Sequence, residues 1–355
     1  LPMEQLKADV KNVDDQSGFE EMLLSDESFC GGISISNQNG AFGMKLHEHD
    51  KYNGSLRARK SVFFFDNRIV ALGSNIESAL PEETHTTLFQ VFLENERMPF
   101  FVNGERRTDF PSHTLLREGK VNLLSDGLGN YFFINRGTVI FKKEKQRSLH
   151  EETGLPTQNN FALAVINHGA APQSSSYEYM ILVQPSSSEK EKIRKINKNG
   201  SLQDLPYELL QHDSLAHIVR DRETRTTGYV LFEAGEISTD PLLRKVNLPG
   251  LIMIREIDEE KMVLAACDPD LRFYEGEPEE VYDEEGKRVE RSIYSRNWID
   301  NPSGTSYLKI TVAGRWEIGV ANHHVRVTES GKNHTVIEFE CKHGLSEEVL
   351  LIRKS

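Results

Sequence analysis

The chain has 355 residues, a net charge of −13 and 37% hydrophobic residues, which suits two ordinary domains with real cores and falls far short of a membrane protein. No run of about eighteen apolar residues occurs, so no segment reads as a membrane-crossing helix. The acidic balance argues against a nucleic-acid or heparin binder while leaving room for a local basic patch toward an anionic substrate.

The opening LPMEQLKADV has no initiator methionine and neither the basic nor the apolar region of a signal peptide. It starts like the end of a strand, and the expectation is a fragment or processed subunit with any export signal upstream. Ser17 to Glu20 has capping-box spacing ahead of Met22, Leu23 and Leu24 and predicts a short helix. Phe29 to Ile76 then strings four β-type runs into two hairpins. Ile33 and Ile35 alternate with Ser34 and Ser36, Asn37-Gln38-Asn39-Gly40 supplies a turn tolerant of positive φ, and Ala41 to Leu46 returns. Val62 to Phe65 and Ile69 to Leu72 flank the turn pair Asp66-Asn67.

Further strands are predicted at Leu88–Leu93, Pro99–Val102, Lys120–Leu124, Asn130–Ile134, Thr138–Lys142, Phe161–Ile166 and Tyr177–Val183, the last two divided by the loop NHGAAPQSSS. The best helix signal follows Pro185, with Ser186 to Glu189 at its start, Ile193 and Ile196 three apart, many lysines on a solvated face, and Asn199-Gly200 to stop it. Strands resume at Ala216–Val219, Gly228–Phe232, Leu251–Ile257 and Met262–Ala266. Composition shifts near Lys245–Pro249, and an acidic linker from Glu275 to Arg291 precedes a last group at Tyr307–Val312, His324–Thr328, Val336–Cys341 and Val349–Ile352. The expected fold is all-β: a large antiparallel β-sandwich over residues 1–247, then a smaller sandwich over 248–355.

Three cysteines, Cys30, Cys267 and Cys341, are odd in number and widely spaced, so buried free thiols are expected rather than a disulfide framework or structural zinc. His47-Glu48-His49-Asp50 would set His47 and His49 on one strand face, but no spacing marks a third ligand, and no metal or cofactor is expected. His323-His324 would face opposite ways on a strand. Gly127-Leu128-Gly129-Asn130 lies between strands with no following helix, so a hairpin turn is expected rather than a phosphate cradle. Glu82-Glu83 has no partner at glycosidase spacing. His49, Tyr52, Arg57 and Arg59 bring together a base, a tyrosine and arginines, the groups an elimination across a uronic acid requires, but the cluster reads first as a loop between strands.

The run ARKSVFFFDNRIVALGSNI (Ala58 to Ile76), followed by THTTLFQ (Thr84 to Gln90) and SYEYMILV (Ser176 to Val183), resembles the β-rich half of the polysaccharide lyases that cleave chondroitin, dermatan and hyaluronan. The likeness extends more loosely through KVNLPGLIMI (Lys245 to Ile254) to DPDL (Asp268 to Leu271). It implies β-elimination on a sulfated glycosaminoglycan, in the periplasm or outside the cell, with the catalytic His, Tyr and Arg on an α/α helical domain that no stretch here resembles. It also implies a working glutamate at the turn that corresponds to Asn37-Gln38-Asn39-Gly40. This sequence has amides there, Ser36 and Asn37 being the nearest equivalents, and Asn37, Gln38 and Asn39 become the substrate-binding candidates. The alternatives are a non-catalytic carbohydrate-binding or scaffold module and, more remotely, an independent hydrolase.

Overall fold

A computed structural model describes residues 26–48, 54–150, 153–199, 205–272, 281–282, 288–289 and 303–354. The helix expected at Ser17–Leu24 lies outside these residues. The chain forms two compact units, Leu1–Met22 with Asn67–Leu205 and Leu23–Asp66 with Pro206–Ser355, and the strand pairs of both are antiparallel.

The first described strands are β1 (Cys30–Ile35), β2 (Asn39–His47) and β3 (Arg57–Phe65), a meander of the second unit. The unit of residues 67–205 pairs β4 (Arg68–Glu77), β13 (Ser175–Leu182), β10 (Tyr131–Arg136), β9 (Asn122–Ser125), β6 (Phe100–Val102) and β7 (Glu105–Arg107) side by side. Its second sheet runs β5 (Glu83–Phe92), β12 (Pro156–Ala170), β11 (Thr138–Leu149) and β8 (Ser112–Leu116). Phe89 and Phe141 of the second sheet meet Phe132 and Phe100 of the first, with ring centroids 5.2 to 6.2 Å apart. Gly127–Asn130 is the turn between β9 and β10, tied by Asp126 Oδ1, which accepts from the amides of Leu128 and Asn130. The loop expected after Ile166 shrinks to residues 171–174, because the ladder to β5 shifts register between Asn167 and Ala170 and carries β12 on past His168. The one helix among the described residues, α1 (Ser187–Asn199), starts with a reciprocal cap. Ser186 Oγ accepts from the Glu189 amide at 3.3 Å, Glu189 Oε2 accepts from the Ser186 amide at 2.8 Å, and Ile193 and Ile196 are buried.

The second unit stacks three layers. A seven-stranded sheet has the order β14 (Tyr207–His212), β15 (Ala216–Asp221), β16 (Thr226–Leu231), β19 (Gly250–Glu256), β20 (Lys261–Cys267), β27 (Glu347–Arg353), β24 (Trp316–Ile318). A five-stranded sheet has the order β17 (Gly235–Glu236), β18 (Leu243–Val246), β23 (Thr305–Ala313), β26 (His334–Lys342), β25 (Val325–Ser330). Between them lies a core that includes Ile218, Tyr229, Ile252, Leu264, Leu308, Ile337 and Phe339. From the acidic stretch only a short ladder is described, β21 (Val281–Tyr282) with β22 (Arg288–Val289). The β1–β3 meander covers the other face of the seven-stranded sheet, and two glycines set how closely. A Cβ on Gly43 would stand 2.4 Å from Val230 Cγ1, and one on Gly228 would stand 2.6 Å from the Phe63 ring.

These units are drawn elsewhere than the ranges 1–247 and 248–355. A cut at 247/248 would separate β16 from β19, which pair from Thr226↔Arg255 to Leu231↔Gly250. The composition shift at Lys245–Pro249 marks the place where the chain leaves the five-stranded sheet after β18 and enters the seven-stranded one at β19, pinned by Asn247 Oδ1, which accepts from the Lys309 amide at 2.6 Å. Of the cysteines, Cys267 and Cys341 are buried free thiols as expected, while Cys30 is exposed.

A buried lysine and a half-buried histidine of the first unit give testable consequences. The side chain of Lys143 is fully buried, and its Nζ donates to the carbonyls of Glu96, Met98 and Thr108 at 2.6, 3.1 and 3.2 Å. Lys143→Met strands those three carbonyls, and urea unfolding should show a loss of at least about 2 kcal/mol. His168 bridges Thr86 Oγ1 at 2.8 Å and Ser175 Oγ at 2.9 Å, and burial pushes its pKa down to about 4. The unfolded chain binds a proton at His168 below about pH 6.5 and the folded chain does not, so this residue's contribution falls as pH drops from about 6.5 toward 4. Urea unfolding at pH 7 and pH 5 should show His168→Gln narrowing its stability deficit against wild type by about 1–2 kcal/mol at the lower pH. A pH-independent difference contradicts a neutral His168.

Candidate functional site

The β1–β2 hairpin turns one residue earlier than its sequence suggests. Ser36 and Asn37 take positive φ of 52° and 50°, and the Gln38 amide donates to the Ile35 carbonyl at 3.1 Å. Asn39 therefore opens β2 instead of lying in the turn, and the register Ile35↔Asn39 points it inward. Its Nδ2 donates to Thr226 Oγ1 at 3.0 Å and its Oδ1 accepts from the Asp66 amide at 3.3 Å, both inside the second unit. Of the three substrate-binding candidates, Asn39 is thus buried with its amide engaged. Asn37 and Gln38 are exposed at the tip. The sequence places no carboxylate in the turn, yet the fold brings one there, since Glu348 on β27 accepts from the Ser36 amide at 2.6 Å through Oε2.

At the other end of the meander the register sets Lys45 opposite Arg59 and His47 opposite Arg57. Lys45 Nζ and Arg59 Nη2 both bind Glu233 Oε1, at 3.0 and 3.1 Å. The Arg59 Cζ lies 5.4 Å from the centre of the Phe232 ring, and its Nε is buried without a hydrogen-bond partner. Phe232 in turn packs edge-on against His217, centroids 4.9 Å apart. His217 is fully buried, shares a 2.8 Å hydrogen bond with Ser61 Oγ, and is held well below its ordinary pKa by burial and by the nearby His212 and Arg59. A serine–histidine pair sealed in this way has no route to substrate.

His47 makes an ion pair with Asp26 through Nδ1, and its Nε2 lies 3.0 Å from the Gly54 carbonyl. Both neighbours are acceptors, an arrangement that favours the doubly protonated ring, and the hydrogen bond to Asp26 raises its pKa. With both nitrogens engaged, His47 offers no lone pair to a metal, and His49 and Tyr52 lie outside the described residues. Of the grouping His49, Tyr52, Arg57 and Arg59, the described residues are Arg57 and Arg59, which stand with Lys45 and His47 at this end of the meander. His323 and His324 sit exposed in the turn before β25 instead of on a strand. Alternation along β2 carried a signal for Lys45, whereas Glu233, in the bend after β16, and Glu348, on β27, come from far along the chain and carried none.

The polysaccharide lyase family 8 super-sandwich domain matches residues 4–194. The chain is 41% identical over 99% of its length to a chondroitin sulfate ABC exolyase of Bacteroides thetaiotaomicron, covering 33% of that protein. It is 37% identical over 90% of its length to a chondroitin sulfate ABC exolyase of Proteus vulgaris, covering 30% of it. The chain thus spans about a third of these relatives. Among solved structures, a Paenibacillus xanthan lyase superposes with a TM-score of 0.73 over 96% of this chain and 30% of its own, at 19% identity, a likeness of fold. The chain belongs to polysaccharide lyase family 8.

Proposed function

We propose that the chain is the β-rich portion of a glycosaminoglycan lyase that cuts chondroitin or dermatan sulfate at the uronic acid, in the periplasm or outside the cell. The observation that carries this reading is the 41% identity, along 99% of the chain, to a chondroitin sulfate ABC exolyase. In such an elimination a base removes the C5 proton, the electron pair forms the C4–C5 double bond, the bond from C4 to the glycosidic oxygen breaks, and that oxygen takes up a proton. The carboxylate must be neutralised for the C5 proton to become acidic.

The groups that move these protons belong, in this reading, to an α/α helical part of the enzyme outside these 355 residues. Near the meander His47 has both ring nitrogens engaged and His217 is sealed, so neither imidazole is poised as a base. The meander would contribute contacts, with the exposed amides of Asn37 and Gln38 able to donate to and accept from a sugar. Carbohydrate binding without catalysis is the rival reading that the same amides favour. It predicts binding but no product from any assembly.

Under the lyase reading, the 355 residues alone give no rise in ultraviolet absorbance from unsaturated uronate, whereas the longer protein gives one with chondroitin and dermatan sulfate. Robust product from the isolated chain would contradict the assignment of the proton-moving groups. In the longer protein, Gln38→Ala and Asn37→Gly, the latter keeping the positive φ, should each lower kcat/KM about tenfold at unchanged melting temperature. Asn39→Ala should lower the melting temperature instead, since it breaks the buried link to Thr226. Full activity in the first two variants would make the tip architecture alone.

A further inference from the structure

Two adjacent rows of the meander set like charge opposite like charge, Lys45 against Arg59 and His47 against Arg57. Such pairs weaken a sheet unless an anion lies between them. In the first row two cations share a single oxygen of Glu233. In the second, Asp26 is taken by His47, and Arg57 is exposed with no ion-pair partner among the described residues. The rows hold four positive groups and two carboxylates in a chain whose net charge is −13. Among the described residues, the exposed guanidinium of Arg57 holds the unused donor capacity. The Phe232 ring beneath Arg59 holds its plane.

We propose that these rows bind the acidic groups of an anionic polysaccharide, a uronic-acid chain carrying carboxylate and sulfate, with Arg57 and Arg59 as the principal contacts. The ligand class rests on the glycosaminoglycan reading, while the cationic rows stand on geometry. Guanidinium groups suit the assignment because their planar donors match carboxylate and sulfate oxygens two at a time. Residues two apart on a strand lie about 7 Å from each other, so the rows offer successive positive charges to a polymer with repeated negative ones. A single small anion would engage one row only.

The test is titration calorimetry of the 355-residue chain with size-defined chondroitin sulfate oligosaccharides, with inorganic sulfate as the small-ion probe. Arg57→Glu and Arg59→Gln should each weaken oligosaccharide binding about tenfold or more. Arg194→Glu, on the exposed face of α1, makes the same charge change as Arg57→Glu and should weaken binding less than about twofold. Inorganic sulfate should bind at least about a hundredfold more weakly than the oligosaccharide. Because Arg57 is exposed, its variant reports on binding even where Arg59→Gln disturbs the fold. Equal effects of Arg57→Glu and Arg194→Glu, no effect of either, or no binding by the wild-type chain overturns the proposal. The lyase reading fails separately, if the longer protein forms no unsaturated product while the rows still bind the polymer as described.

Discussion

The close seating of the β1–β3 meander on the seven-stranded sheet is the constraint on which the second unit's functional geometry depends. Backbone alone can approach at Gly43 and Gly228, where any side chain would run into Val230 or Phe63. The Asn39–Thr226 hydrogen bond then fixes the register at the tip end. A slip of one residue would turn Ile33, Ile35, Phe63 and Phe65 outward and expose their apolar faces. The register that buries those side chains also decides which residues remain at the two ends of the meander, exposed amides at one and paired cations at the other.

Electrostatics at the cationic end follows from the same seating. Lys45 and Arg59 are only 15% and 22% exposed, so their shared contact with Glu233 is screened less than a surface pair would be. Behind them the Phe232 ring packs on the buried His217 and forms a floor under Arg59, with the Glu233 carboxylate beside it as counter-charge. The tie from His47 to Asp26 and Gly54 holds the backbone of the second row in place.

Local rules expressed in the sequence carried much of this architecture. Alternation at Ile33 and Ile35 and the Ser186–Glu189 spacing point directly to β1 and α1, because each depends on residues a few positions apart. The turn at the tip differs by one residue because Asn39, a turn former by propensity, is drawn inward by Thr226 from a strand far along the chain. The boundary near residue 247 reads as a domain change in composition, but physically the chain is switching sheets between β18 and β19. Arg57 and Arg59 stand out in the sequence, while their setting does not, because Glu233 and Phe232 reach them through tertiary packing. The same holds for Glu348, whose carboxylate arrives at Ser36 across 312 positions.

The central claim is that the meander is the part of this chain that meets the polysaccharide. Amide chemical-shift mapping of the isotope-labelled chain with a chondroitin sulfate tetrasaccharide tests it most directly. The account predicts that the largest shifts fall on Asn37, Gln38, Lys45, Arg57 and Arg59, with little change on the four-stranded sheet of β5, β12, β11 and β8. Shifts concentrated on that sheet, or on α1, with the meander unaffected would contradict it.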